Sequence, residues 1–377
     1  METFVAVHGG AGYHSFTAEK ELKQALRLAC NNALLVASSA GSSLDVTEAA
    51  ITVLEDAPNL NAGFGSNLTF EGNVECDAAI MDGNNHWGSV GAVSGVKNPI
   101  RVARAILEYS QVPDPLGRIP PLTLVSSGAR SFASKHLHTS SGLVGEGALI
   151  SDRARDRWVQ WKDRLSSAST EEGTNLPPPP DSESLHDSQD TVGAVASCSG
   201  NMSAGVSSGG LLLKMEGRCG EAAMFGAGCW AQNKNIRPQV QIGMACSVSG
   251  TGEYITRSGL AKALGKSFEA FSPSDGSEYM DPHTIMQQVL VDEFWKPSQD
   301  LGEPNPSAGI LLMTYEDGDD NTPIVRVWCG FTTPTFLVAY ASTRNPIPKT
   351  LILRRPKDMV GAHADKKAPI YMTAFSL

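Results

Sequence analysis

Residues Thr3 to His8 alternate in a strand-like way and run into Gly9-Gly10-Ala11-Gly12, where a glycine turn is expected. Leu22, Ala25, Leu26, Ala29, Ala33 and Val36 recur at helical spacing, and this apolar stripe predicts a helix from about Ala18 to Ser39. Asp45 with Glu48 three residues later reads as a capping box that opens a second helix, ending near Glu55. Asn61-Ala62-Gly63-Phe64-Gly65-Ser66 is a glycine-rich loop. Strands are expected over Glu75 to Met81 and Gly88 to Gly95, with a helix from Arg101 to about Tyr109. Arg153, Arg155, Arg157, Lys162 and Arg164 are interleaved with acids and tryptophans, as in an amphipathic helix. From about Ser166 to Asp190 the periodicity stops. Ser, Thr, Glu and Asp dominate there, and Pro177 to Pro180 is an unbroken proline run. An interdomain linker and a processing segment that reaches an active centre both fit this stretch.

After that stretch the period becomes that of strands. Thr191 to Ser197 and Met202 to Ser207 flank Cys198-Ser199-Gly200-Asn201 and predict a hairpin. Further strands are expected at Ile242 to Ser249, Gly309 to Thr314, Ile324 to Cys329 and Phe336 to Ala341. Asp281 as N-cap and Pro282 in the first turn predict a helix to about Phe294. Helices gathered in the first half and strands in the second suggest an α+β protein with sheet layers covered by helices.

At 377 residues the chain is long enough for two domains or one large layered one. Hydrophobic residues make up 41% and charged residues 19%, which excludes wholesale disorder. The formal net charge of −10 disfavours nucleic acid, whose phosphates need a basic surface. The longest apolar runs are about nine residues, against roughly 20 for a bilayer span, so no membrane partner is expected. The start Met1-Glu2-Thr3-Phe4-Val5 has an early acid and no basic n-region, so no signal peptide is expected. Seven cysteines without CxxC spacing predict buried, reduced thiols and an intracellular protein, cytoplasmic or nuclear. The eight histidines have no HExxH spacing, so a catalytic transition metal is not expected.

Two catalytic centres compete. Gly205-Val206-Ser207-Ser208-Gly209 matches G-x-S-x-G, His8-Gly9-Gly10 resembles an oxyanion loop, and Asp292 and His363 follow in triad order. The glycines after Ser207 open a helix poorly, however, and a nucleophile elbow needs one. The other centre is Asp190-Thr191-Val192, a threonine at the start of a strand directly after the aperiodic stretch. Freed by cleavage, its α-amine, with an intrinsic pKa of about 7.7–8.0, can accept the proton of its own hydroxyl.

Several segments, read together, resemble the N-terminal-nucleophile hydrolases of the plant-type asparaginase family, and most closely its threonine aspartase (taspase) branch. They are His8 to Ser15, Asn61 to Leu68, Glu75 to Gly83, Gly91 to Pro99, Gly117-Arg118-Ile119-Pro120-Pro121 and Asp190 through Trp230. Val96-Lys97-Asn98-Pro99 and the Gly117 to Pro121 run are what favour the taspase branch. The resemblance implies a four-layer αββα fold and self-cleavage of the Asp190–Thr191 bond. The products would be fragments 1–190, ending in the linker at about 166–190, and 191–377. Together they would form one domain, and two such pairs a dimer of heterodimers.

The resemblance further implies Thr191 as nucleophile, with Ser208 hydrogen-bonding near its amine. Ser249 and Gly250 would form the oxyanion hole, worth about 3 kcal/mol per donor. Arg218 would grip a substrate carboxylate, and Lys20 would assist aspartate recognition. The loop Leu54 to Phe64 resembles a cation loop whose backbone carbonyls would hold a structural sodium ion; no other cofactor is implied. Glu221 stands where asparaginases place a shorter acid against the substrate's α-ammonium and where the taspase pattern has a neutral amide. The expectation is that Glu221 turns to solvent or pairs elsewhere. The function implied is a threonine endopeptidase cutting a protein substrate after aspartate. The alternative is an L-asparaginase or β-aspartyl peptidase for small substrates, and a non-catalytic scaffold is a third reading.

Overall fold

A computed structural model describes residues 2–137, 142–170, 191–234, 236, 242–270, 281–318, 322–356 and 368–377. Asp190, His363 and the stretch 171–190, including the proline run, lie outside the described residues. The rest of the aperiodic stretch, from Ser166, continues a helix (Asp152–Thr170, α5), so the expected linker begins later than its composition suggests. Trp158 anchors α5 by donating to the carbonyl of Thr69 at 2.8 Å.

The larger of two sheets has eight strands. Their order is Lys349–Arg354 (β12), Thr335–Ser342 (β11), Thr3–Gly12 (β1), Val192–Cys198 (β5), Asn201–Ser208 (β6), Cys76–Asp82 (β2), Trp87–Val93 (β3) and Thr123–Val125 (β4). Every pairing is antiparallel except β3 with β4. The second sheet runs Tyr371–Ser376 (β13), Pro323–Phe331 (β10), Ala308–Asp317 (β9), Gly243–Gly250 (β8), Cys229–Gln232 (β7). Period-2 alternation sends the side chains of the large sheet to two cores. Val5, Val7, Val192, Ala194 and Ile80 pack with three helices, Glu19–Ser38 (α1), Ser43–Glu55 (α2) and Pro99–Ser110 (α3). Phe4, Ala6, Val195, Val206 and Met81 pack instead with Val248, Ile310 and Leu312 of the second sheet. That core also takes in Ile255 of the helix Gly252–Ser258 (α6), Leu264 of Leu260–Ala270 (α7) and Met286 of Pro282–Gln288 (α8).

Several expectations shift by a local cause. The predicted glycine turn is absent, because β1 continues through Gly12 with a register irregularity between His8 and Ala11. Gly9 is there for close packing: a Cβ would lie 2.6 Å from Leu337 Cδ2. The capping box of α2 is Ser42 with Asp45, not Asp45 with Glu48, so the helix starts one turn earlier. The hairpin turn forms as expected, with Ser199 and Gly200 at φ +49° and +83°, as a two-residue primed turn requires. Asp281 does cap α8, which passes through a π-helical run, Val289–Trp295, into Lys296–Asp300 (α9). The helix Ser126–His136 (α4), together with α6, α7, β7, β12 and β13, is not among the expected elements, although α7 carries a clear apolar stripe of Leu260, Ala261, Leu264 and Phe268. All seven cysteines are free, six of them buried and Cys219 partly so. No described helix is long and apolar enough to cross a membrane.

Candidate active site

Thr191 immediately precedes β5, and the register brings it to the ends of several strands. Val192 faces Ser207 across the β5–β6 pair, and Asp77 faces Ser208 across β2–β6. Because side chains alternate, Ser207 and Ser208 must face opposite sides of the sheet. Ser208 faces the core between the sheets and meets the threonine: Thr191 Oγ1 bonds to Ser208 Oγ at 3.1 Å. Ser207 faces α2 and donates to Glu55 Oε1 at 2.7 Å.

This parity removes the serine triad. Ser207 lies in the helix-side core, while Asp292 is exposed and paired with Lys296 at 2.8 Å. His363 lies outside the described residues. His8 and its glycines form part of β1 rather than an oxyanion loop, with His8 Nε2 2.8 Å from Ser247 Oγ. Burial lowers the His8 pKa to about 3, so its imidazole is neutral.

Glu221 overturns the expectation set for it. It is 3% exposed and opens a short 3-10 turn, Glu221–Ala223. Thr191 Oγ1 donates to its Oε1 at 2.7 Å. The threonine has a single hydroxyl hydrogen, and the carboxylate is the shorter and stronger of its two acceptors. Burial pushes the Glu221 pKa up, while the nearby Arg218 charge and the Thr191 hydrogen bond pull it down.

Arg218 and Glu221 converge at Gly252. A Cβ there would lie 2.3 Å from Glu221 Oε2 and 2.8 Å from Arg218 Nη2, so glycine is needed to admit both. Arg218 is also held by Glu253 of α6, at 2.8 Å from Nε and 2.7 Å from Nη2. Buried Asp77 fixes the loop that carries the pair. It accepts from Gly220 N–H at 2.7 Å and from Ala92 N–H at 2.8 Å. Sequence reasoning missed both Asp77 and Glu253 as site residues. The signal for Asp77 was an acid within the apolar run Cys76-Asp77-Ala78-Ala79; Glu253 had none.

The two serines meet different atoms of the threonine. Ser208 touches the Thr191 hydroxyl, whereas Ser249 Oγ accepts from Thr191 N–H at 3.4 Å and from Ala11 N–H at 3.0 Å. Gly250 follows at φ +144°, where a Cβ would meet the Ser307 carbonyl oxygen at 2.1 Å. Lys20 is exposed on α1, and no hydrogen bond or ion pair joins it to Thr191, Ser208, Arg218 or Glu221. In the loop after α2, the carbonyl oxygens of Leu60, Ala57 and Pro58 crowd the Cα hydrogens of Gly65. A Cβ there would lie 2.0, 2.7 and 2.9 Å from them respectively. Among the described residues no group of three or more His, Cys, Asp or Glu side chains is placed to hold a metal ion.

A strand-start threonine with two hydroxyl neighbours, an arginine and a buried acid is a hydrolytic constellation. A family model described as asparaginase matches residues 1–275. The chain belongs to the plant-type asparaginase family. Its similarity to the isoaspartyl peptidase/L-asparaginase of Xenopus laevis is 35% identity over 272 residues, covering 70% of this chain and 75% of that one. A putative isoaspartyl peptidase/L-asparaginase of Dictyostelium discoideum is 34% identical over 366 residues, 86% of this chain and 98% of the other. The plant-type L-asparaginase of Pyrococcus horikoshii is 36% identical over 268 residues, with 68% and 77% covered. The asparaginase family is thus shown at the level of N-terminal-nucleophile hydrolases. These three relatives are named isoaspartyl peptidase/L-asparaginase or L-asparaginase, and none of the three is named a threonine aspartase.

Proposed function

We propose that the protein is a self-processing threonine amidohydrolase for small aspartyl substrates, L-asparagine or β-aspartyl dipeptides. The observation that carries this reading is the convergence of Glu221 and Arg218 on Gly252, with the Glu221 carboxylate against the Thr191 hydroxyl. A free amino acid presents a carboxylate and an ammonium, and a guanidinium next to a carboxylate matches both. An aspartyl residue inside a peptide has no ammonium to give. Cleavage of Asp190–Thr191 frees the threonine amine, which then takes the proton of its own hydroxyl as that oxygen attacks the substrate carbonyl. Ser208 holds the hydroxyl in place, and Ser249 with the Gly250 N–H opposes charge on the carbonyl oxygen. The resulting ester is hydrolysed by water.

We extend the reading to a four-layer αββα stack of helices and sheets, and to a dimer of cleaved pairs. Backbone carbonyls of the loop Leu54 to Phe64 would hold a hard monovalent cation, which would fix the loop rather than take part in chemistry.

A second reading keeps an endopeptidase cutting after aspartate. It is favoured by the burial of Glu221, which raises its pKa and so its neutral fraction. A protonated carboxyl offers one donor and one acceptor, much as an amide does. The Val96–Pro99 and Gly117–Pro121 segments support the same reading.

The test is to assay the purified, cleaved wild type on L-asparagine, a β-aspartyl dipeptide and an aspartyl-glycine peptide. Turnover of the first two alone supports the proposal. Turnover of the peptide alone would replace it with the endopeptidase. N-terminal sequencing should give a fragment starting at Thr191.

A further inference from the structure

In the intact chain the nitrogen of Thr191 is an amide. It has no lone pair free to take a proton, so the base proposed for the mature enzyme does not yet exist. The first cleavage therefore needs a different base within reach of Thr191 Oγ1. Around the threonine, Ser208 is a neutral hydroxyl at 3.1 Å that already accepts from Gly210 N–H at 3.0 Å. Ser249 meets the nitrogen and not the hydroxyl. His8 is engaged with Ser247. Among the described residues the remaining group is the Glu221 carboxylate, 2.7 Å from Oγ1, 3% exposed, and held by a turn that Asp77 anchors through Gly220.

We infer that Glu221 is the general base for self-cleavage of the Asp190–Thr191 bond. The inference rests on the proposed self-processing and adds to it the residue that starts the reaction. Glu221 Oε1 takes the hydroxyl proton as Thr191 Oγ1 forms a bond to the Asp190 carbonyl carbon, and the carbonyl π pair moves onto oxygen. When that pair returns, the C–N bond breaks. The proton on Glu221 passes to the departing nitrogen, leaving an ester and a free amine. One water then hydrolyses the ester, giving its hydroxyl to Asp190 and its hydrogen to Thr191 Oγ1. Glu221 ends ionised, as it began, and is left free to meet the ammonium of a substrate. One residue thus serves maturation first and substrate recognition afterwards.

The charges that act on Glu221 are Arg218 on the preceding loop and Asp77 on β2, and Arg218 is itself paired with Glu253 of α6. Burial is the largest influence on Glu221 and favours its protonated form. Self-cleavage should accordingly be slow in acid and rise about tenfold per pH unit until Glu221 ionises, at a pH above the ordinary glutamate range.

The experiment follows cleavage of freshly refolded intact chain by gel, from acid to alkaline pH. The proteins are wild type, Glu221→Gln, Glu221→Asp and Asp190→Asn, with unfolding temperature as the check on folding. The Asp190 carboxylate is the rival base. The inference expects Glu221→Gln to fold yet cleave about 100-fold or more slowly, with the acid limb of its pH profile gone. It expects Glu221→Asp to keep that limb at a reduced rate, and Asp190→Asn to keep the limb whatever its rate. Glu221→Gln cleaving as fast as wild type would overturn it. So would slow cleavage with the wild-type pH profile, which would mark a structural role, or loss of the limb in Asp190→Asn alone. A wild-type chain that never cleaves would instead defeat the self-processing reading and the inference with it.

Discussion

Arg218 meets an acid before any substrate arrives. Glu253 holds its guanidinium at 2.7 Å, and the Glu253 side chain is 48% exposed. A substrate carboxylate must share or replace this partner. Because the pair is partly solvated, its worth is about 1 kcal/mol or less, and Glu253→Gln should lower KM no more than about fivefold. A higher KM in that variant would mean that Glu253 positions the arginine rather than competing for it. Arg218→Ala is the more severe change. It removes the only cation proposed for the substrate carboxylate and leaves Glu221 without its compensating charge. The expected loss in kcat/KM is about 2–5 kcal/mol. Equal rates for wild type and Arg218→Ala on a β-aspartyl dipeptide would remove the arginine from the site.

Strand β6 decides between two adjacent serines by parity alone. Ser208 reaches Thr191, and Ser207 reaches Glu55 on the other face. Ser207→Ala should therefore leave self-cleavage and turnover intact while costing about 1–3 kcal/mol in urea unfolding, because it strips a donor from a buried acid. Loss of activity in a stably folded Ser207→Ala protein would reopen the serine-hydrolase reading. The hairpin that sets this parity was legible in the sequence, since two alternating runs flank Ser199-Gly200. Helix α1 was legible too, from an apolar stripe that really is buried at Leu22, Leu26, Ala29 and Ala33. Thr191, Ser208, Arg218 and Glu221 could be named from motif resemblance. What the sequence could not convey is where Glu221 points. Its direction depends on Gly252 leaving room, on Asp77 gripping Gly220, and on the β5 register, and these contacts join distant parts of the chain. The capping box of α2 was misplaced for a smaller reason. Ser42 and Asp45 satisfy the same spacing one turn earlier, and Ser42 is the residue whose backbone is extended.

At the scale of the whole molecule, the proposed cut separates strands that the sheet interleaves. β1 and β2 lie before residue 190, yet β1 sits between β5 and β11 and β2 pairs with β6. The 190- and 187-residue fragments should therefore co-elute in native chromatography and part only in denaturant, whereas Thr191→Ala should remain one chain. The same interior contains an acid that makes stability depend on pH. Glu55 is fully buried, and that burial raises its pKa to about 8, against smaller lowering effects from its hydrogen bonds to Ser207 and the Ile100 N–H. Between its unfolded value of 4.5 and about 8, the folded state holds a proton that the unfolded state lacks. Its contribution is complete below the lower value and is lost as pH rises through the upper one. His8 acts in the opposite sense, since its folded pKa of about 3 lies below the ordinary 6.5 and its contribution is gained as pH rises between them. Above pH 6.5 the histidine has no further effect, and the Glu55 slope stands. One such group changes stability by up to about 1.4 kcal/mol per pH unit. Urea unfolding of the uncut Thr191→Ala chain between pH 6.5 and 8 should show stability falling with pH. Adding Glu55→Gln should flatten that fall by about 1 kcal/mol per unit, whatever its offset at any single pH. Parallel slopes in the two proteins would show that Glu55 is ionised in the folded chain and that its hydrogen bonds from Ser207 and Ile100 outweigh the effect of burial.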